Sequence, residues 1–280
     1  MNLVSTTNEF AISRTIRAER MGQEALDDLL QGALKYELWS RMAFHEIRQR
    51  FRRSLLGPFW LTLSMGIMVG ALGLVFGAIF KQDVQQSLPY ISTGLIFWGL
   101  LTSCINEGTT AFIGSESYIR NVPLPISLHI YRMLARNLII WGFNMAIYIV
   151  VLLIFKINPG YSVFLFFPAF VLFVANLFWI VIFVSVLSTR FRDIPQVVAN
   201  LLQVIFFVTP VWWSVTSLPN RPAFVSLNPL YHLMEIVRAP LLGERPNPES
   251  WLVAIALLLV GSGLAAYLYR RAYARISYWV

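Results

Sequence analysis

The stretch VFLFFPAFVLFVANLFWIVIFVSVL, residues 163–187, holds no charged side chain and only two polar ones, Asn176 and Ser185. At about 1.5 Å rise per residue, roughly 20 apolar residues cross a bilayer core of about 30 Å. This stretch meets that length. Working outward from it, similar apolar runs cover about residues 58–80, 88–113, 138–155, 197–213 and 251–269. The reading is an all-α integral membrane protein with six transmembrane helices.

Composition agrees. Of 280 residues 57% are hydrophobic, 15% aromatic and only 13% charged, against about a quarter charged in soluble domains. That excludes an ordinary soluble enzyme, a disordered chain and a disulfide scaffold. The single Cys104 lies in an apolar run and reads as a small buried hydrophobe. A net charge of +8 would suggest nucleic acid in a soluble protein. In a membrane protein it follows from basic residues held on the cytoplasmic side, so no nucleic-acid partner is expected.

Placing the N-terminus in the cytoplasm puts most of the 22 Lys and Arg inside. Only Lys81, Lys156, Arg221, Arg238 and Arg245 fall outside. With six spans both termini are then cytoplasmic. Residues 1–57 are too long and too charged for a signal peptide. Within them, residues 1–33 read as a mobile cytoplasmic leader and 34–57 as an amphipathic helix. Leu34, Leu38, Arg41, His45 and Arg48 share one stripe, and Tyr36, Trp39, Ala43, Ile47 and Phe51 another. A basic face with aromatic anchors suits the membrane interface, the alternative being a plain polar leader.

Residues 58–280 form the membrane domain, and within it residues 214–250 stand apart. Phe224, Leu230, Tyr231, Leu233 and Ile236 make the segment too apolar for a solvated loop, while Pro219, Pro222, Pro229 and Pro240 forbid one straight span. It reads as a re-entrant helical segment between helices 5 and 6, or else as an amphipathic hairpin lying on the outer surface.

Chemistry-bearing motifs are missing. There is no GxxxxGK[ST] phosphate loop, HExxH, CxxC or GxSxG. The three histidines, His45, His129 and His232, lie on separate segments, so no metal or other cofactor is expected in this chain. Glu107 is the one clear carboxylate inside a span, with Asn106 beside it. Its burial costs about 2.5–3.5 kcal/mol on insertion scales, so it must face protein or water. A helix–helix partner suits it better than an ion relay, which needs several such groups. Aromatic rings are plentiful instead: Phe206, Phe207, Trp212 and Trp213 in the fifth span, and Tyr231 after it. Aromatic faces stack on the C–H faces of sugars without demanding one hydrogen-bond pattern, which suits a sliding polymer; lipid-facing packing is the alternative.

Specific strings then carry a resemblance. Arg50-Phe-Arg-Arg-Ser-Leu-Leu-Gly-Pro-Phe-Trp60 at the start of the first span resembles the permease subunits of polysaccharide-exporting ABC transporters, the O-antigen, capsular polysaccharide and teichoic acid exporters. So do Leu88-Pro-Tyr-Ile-Ser-Thr-Gly-Leu-Ile-Phe-Trp98, Arg190-Phe-Arg-Asp-Ile-Pro195 with Thr209-Pro210, and Asn228-Pro229 with Arg238. The similarity runs from about Ala33 to the C-terminus, and the polar residues before it depart from a short family leader.

The resemblance implies a permease for a lipid-linked glycan in a bacterial cytoplasmic membrane. It implies a homodimer, bathed in membrane lipids, with two cytoplasmic ABC ATPase subunits that bind the ATP. It places ATPase docking on the amphipathic helix (Arg48, Arg52, Arg53) and on the loop at 118–126 (Arg120, Pro123, Leu124, Pro125). Spans one and five border the path, so Phe206, Phe207 and Trp212 are candidates for its wall. Trp213 and Tyr231 join them on the aromatic argument. An ABC permease for a drug or small lipid, a secondary flippase and a membrane glycosyltransferase remain rival readings.

Overall fold

The structure, a computed structural model, describes residues 22–57, 59–80, 84–215 and 223–280. Within them the regular structure is helical: α1 (22–34), α2 (Tyr36–Arg50), α3 (Phe59–Phe80), α4 (Val84–Thr110), α5 (Glu116–Asn121), α6 (Leu128–Phe155), α7 (Val163–Arg190), α8 (Ile194–Val208), α9 (Ala223–Ser226), α10 (Pro229–Leu241) and α11 (Pro248–Trp279). Among the described residues four helices are long and apolar enough to cross a membrane: Ser87–Thr110, Leu128–Phe155, Gly160–Arg190 and Pro248–Trp279. The apolar helical stretches Phe59–Val75 and Ile194–Val208 are shorter.

Local chemistry sets the ends. Asn228 and Asn247 each cap a helix through the side-chain oxygen, accepting from Leu230 N and Glu249 N, with proline in the first turn behind. α6 stops at Lys156, which takes the left-handed conformation at φ +51°. α8 stops at Val208 because Thr209 precedes Pro210 and is extended. The fifth apolar run, expected to continue as helix to Trp213, therefore ends earlier. Trp212 and Trp213 lie in the turn beyond it.

The core is built around α4, whose apolar window is 72% buried against 11% for α6 and 17% for α11. Phe97 at its centre is fully buried and touches Trp141, Phe166, Phe170 and Phe173 with ring centroids 5.6, 6.0, 6.4 and 5.8 Å away. α7 packs along α11, where Gly261 lets the two backbones close. A Cβ there would stand 2.2 Å from a ring carbon of Trp179. α3 and α8 flank this core, to which they give Val69 and Leu202, and expose apolar faces, Phe59, Leu63 and Ile67 on one, Val197, Leu201 and Val204 on the other.

Two expectations change here. The stretch read as a mobile leader is helical from residue 22, and its Ala25 and Asp28 are buried; residues 1–21 lie outside the described residues. The amphipathic segment does not run as one helix over 34–57. Lys35 breaks it, α2 ends at Arg50, and residues 51–57 are turns. Its Trp39, Ala43 and Ile47 stripe meets protein: Ala43 and Ile47 are buried, and Trp39 stacks on Tyr131 of α6 at 6.2 Å. A stripe in a sequence gives the face of a helix but not what covers it.

Candidate functional site

Three of the strings singled out in the sequence, the first more than a hundred residues before the other two, meet around one turn, Thr209–Val211. The Arg238 guanidinium donates to the Pro210 carbonyl (2.7 Å) and lies 3.8 Å over the Tyr90 ring. The Tyr90 hydroxyl donates to the same carbonyl at 3.2 Å. Asn228 Nδ2 donates to Thr209 Oγ1 at 2.8 Å. Gly94 completes the seat, since a Cβ there would stand 2.1 Å from the Val211 carbonyl oxygen, so only glycine fits. Arg238 is 4% exposed. Its charge is kept in the interior by a carbonyl dipole and an aromatic face.

Beside this turn lies a cavity of about 660 Å³. Its wall includes Ser87, Tyr90, Trp212, Tyr231, Glu235 and Arg238. Burial, with the Glu235 carboxylate beside it, pushes the Tyr231 phenol above its usual range, so it stays a neutral O–H group. α10 is enclosed around the cavity: His232, Leu233, Met234 and every residue from Ile236 to Leu241 are buried. The Tyr148 hydroxyl holds its last turn by donating to the Leu241 carbonyl (2.6 Å).

At the other end of the bundle, Asp28 of α1 organises a polar clamp. Its carboxylate is 5% exposed and accepts from the backbone N–H groups of Ile126 (2.7 Å) and Ser127 (2.9 Å), just before α6. It also accepts from the Tyr269 (2.7 Å) and Tyr273 (3.3 Å) hydroxyls of α11. A carboxylate at the start of a helix gains from the exposed N–H groups and the helix dipole. Gly32 allows the approach, since a Cβ would fall 2.2 Å from Ser127 Oγ. α1 therefore ties residues 126–127 to the far end of α11.

Nearby, a charged chain links three helices. Glu46 of α2 pairs with Arg132 (3.1 Å) and Arg136 of α6. Arg136 in turn donates to Glu107 of α4 (2.7 Å), which also accepts from Asn137 Nδ2 (2.6 Å). Glu107 thus has the helix–helix partners that its place inside an apolar helix demands.

The residues expected to carry function fall into separate places. Trp212 and Tyr231 share the cavity. Phe206 is half-buried against Trp98, centroids 5.6 Å apart, whereas Phe207 is 61% exposed and meets Phe206 edge-on. Trp213 donates to the Phe207 carbonyl at 3.3 Å. Arg48, Arg52 and Arg53 are exposed. Arg120 pairs with Glu116 at 3.1 Å and donates to the Val280 carbonyl. In the loop that follows, Pro123 is exposed, Leu124 half-buried and Pro125 buried.

Residues 37–242, most of the chain, match the ABC-2 type transporter family. The chain belongs to that family. Among relatives of this ABC-2 chain, the O-antigen export system permease protein RfbA of Myxococcus xanthus is 24% identical over 236 residues, covering 81% of this chain and 89% of that protein. The protein of the same name from Klebsiella pneumoniae is 20% identical over 191 residues, 66% of this chain and 72% of its own. The ABC-2 match begins inside α2 and ends just after α10. It spans the turn, the cavity wall except Glu244 and Arg245, and the Glu46–Arg136–Glu107 chain. Asp28 lies before it.

Sequence reasoning missed Asp28, Glu46, Arg136 and the Tyr90–Arg238 pair as site residues. For Asp28 a signal existed: Ala25, Asp28 and Gly32 share one helical stripe. A carboxylate on a stripe of small residues marks a packed polar contact.

Proposed function

We propose that this chain is the membrane permease subunit of an ATP-driven exporter that moves a lipid-linked polysaccharide out of the bacterial cytoplasm across the cytoplasmic membrane. The observation that carries this is the membership of the ABC-2 family together with two relatives named as O-antigen export permeases, each matched over two thirds or more of its length. ABC-2 chains are transport subunits, so ATP is hydrolysed on a separate ATPase partner.

In this reading α3, α4, α6, α7, α8 and α11 are the six spans. α3 is 22 residues long and, at about 1.5 Å per residue, reaches across a bilayer core. α8 is shorter, at 15 residues, and reaches its boundary with the turn beyond it. α9 and α10, with the break between them, make the re-entrant segment, supported by the enclosure of α10. Both termini are cytoplasmic, with α1, α2 and residues 118–126 on the ATPase side. The unit is a homodimer with two ATPases: one bundle packed around Phe97 leaves no room for a polymer, and the apolar faces of α3 and α8 supply a surface for a second copy.

The proposed cycle has the glycan arriving at the inner face beside α2. Closure of the ATPases pushes on Arg120, Pro123, Leu124 and Pro125 and reaches the bundle through the Asp28 clamp. Arg48, Arg52 and Arg53 present the basic face to the same partner. The polymer passes along Phe206 and Phe207 of α8 toward Trp212, Trp213 and Tyr231. Deleting the gene and purifying the tagged protein test the proposal together. A P-loop ATPase that co-purifies, and glycan held in the cytoplasm, are the expected results; surface glycan at normal levels in the deletion strain would overturn it.

A further inference from the structure

The cavity next to the Thr209–Val211 turn has a chemistry that the permease reading leaves unassigned. Its 660 Å³ lies within the roughly 300–1,000 Å³ of small-molecule sites. Two polar atoms in its wall are buried without a hydrogen-bond partner among the described residues, Ser87 Oγ and Glu235 Oε2. Ser87 is 7% exposed. Buried polar atoms are nearly always paired, and each exception calls for a reason.

The basic group at the same place is already engaged. Arg238 donates to the Pro210 carbonyl and covers the Tyr90 ring, so it holds the wall in shape. At the rim Glu244 and Arg245 are both exposed and offset one another. A phosphate or carboxylate entering the cavity therefore meets the Glu235 carboxylate in a lining with no net positive charge, Glu235 and Glu244 against Arg238 and Arg245. A sugar ring meets complementary groups: its hydroxyls donate to Glu235 Oε2 and Ser87 Oγ, and its apolar face lies on Trp212 or Tyr231.

We infer that this cavity is a binding station for one or two uncharged sugar residues of the exported glycan, with Glu235 and Ser87 as acceptors and Trp212 and Tyr231 as stacking faces. Arg238 is a positioning residue that fixes the cavity wall through Pro210 and Tyr90. The inference rests on the permease reading and adds to it where the glycan is held and by what chemistry.

The test uses the whole transporter in cells, with the native glycan as probe. A cysteine reporter at the rim, Glu244→Cys, reacts with a membrane-impermeant maleimide; the native Cys104 is buried and silent. Labelling is compared between cells exporting glycan and isogenic cells whose glycan assembly is blocked, with Arg245→Cys as a second reporter. The expected result is labelling about tenfold slower in exporting cells, the protection given by a site occupied most of the time. Adding Glu235→Ala or Ser87→Ala should return labelling to the blocked rate at unchanged membrane abundance, and Glu235→Gln, which keeps an acceptor oxygen, should keep part of the protection. Equal labelling in exporting and blocked cells overturns the station while leaving the permease reading intact. Protection that survives both Glu235→Ala and Ser87→Ala overturns the acceptor assignment. Surface glycan in the deletion strain overturns the permease reading instead.

Discussion

The Tyr269 hydroxyl donates to Asp28 Oδ2 at 2.7 Å, so the first described helix is bonded to the last. The same carboxylate holds the amides of Ile126 and Ser127, where the proposed coupling loop turns into α6. Asp28 is thus a three-way junction of α1, the loop and α11. Replacing it by alanine leaves two backbone donors and two phenols short of an acceptor, at about 1–3 kcal/mol for each group left buried and unpaired. We expect Asp28→Ala to lower the thermal midpoint in detergent and to open residues 22–34 to protease. Asp28→Asn, which keeps one good acceptor, should fall between. An alanine variant as stable and as protease-resistant as the parent would refute the junction.

Arg136 stands between Glu46 and Glu107, and removing it leaves Glu46 with Arg132 alone and Glu107 with the Asn137 amide alone. Breaking a buried pair costs about 3–5 kcal/mol. Side-chain exposures of 22% for Arg136 and 32% for Glu107 place this site at or below the low end. Arg136→Ala is expected to destabilise by about 3 kcal/mol or less. Glu107→Gln should cost far less, since an amide oxygen still accepts from Asn137. Thermal unfolding of the two variants side by side checks the order, and the reverse order would contradict it.

Phe206 and Phe207 separate packing from path. Phe206 is half-buried on Trp98 while Phe207 is 61% exposed. Phe207→Ala should leave folding nearly unchanged and reduce export. Phe206→Ala should reduce both, losing an aromatic contact of about 0.5–1.5 kcal/mol beyond its area. Export at the parental rate in Phe207→Ala and Trp212→Ala would remove the aromatic path from the mechanism.

Arg120 and Pro123 test coupling. Arg120 holds Glu116 and the Val280 carbonyl, and Pro123 is exposed at the tip of the loop. Arg120→Glu or Pro123→Gly should abolish transport-linked stimulation of the ATPase while the protein still inserts. Stimulation that persists in both would move the docking site elsewhere.

Much of the helical skeleton is legible because apolar runs such as residues 163–187 are long and uncharged. Their ends are less so. Hydropathy carries the fifth run through Trp213, since it does not register that Thr209 before Pro210 must leave the helix. It starts the third at Leu138, although the Asp28 clamp lets α6 begin at Leu128 and carry Arg132 and Arg136 within it. The need for a partner at Glu107 could be read from the cost of a buried charge. The identity of that partner could not, because Arg136 and Glu46 come from helices that only the fold brings together. In the same way, the strings at residues 88–98, 209–210 and 228–238 each look unremarkable alone, and acquire meaning from their meeting at Pro210.

Gly94, Tyr90, Asn228 and Arg238 grip Thr209–Val211 from α4 and from α10 with the residue that caps it. If α10 swings outward, Arg238 drags Pro210 with it, and the next carbonyl, of Val211, lies against α4 at Gly94, where there is no side chain to yield. The turn, α10 and the first turns of α4 are therefore fastened as one wedge, and outward movement of α10 has to carry the turn with it.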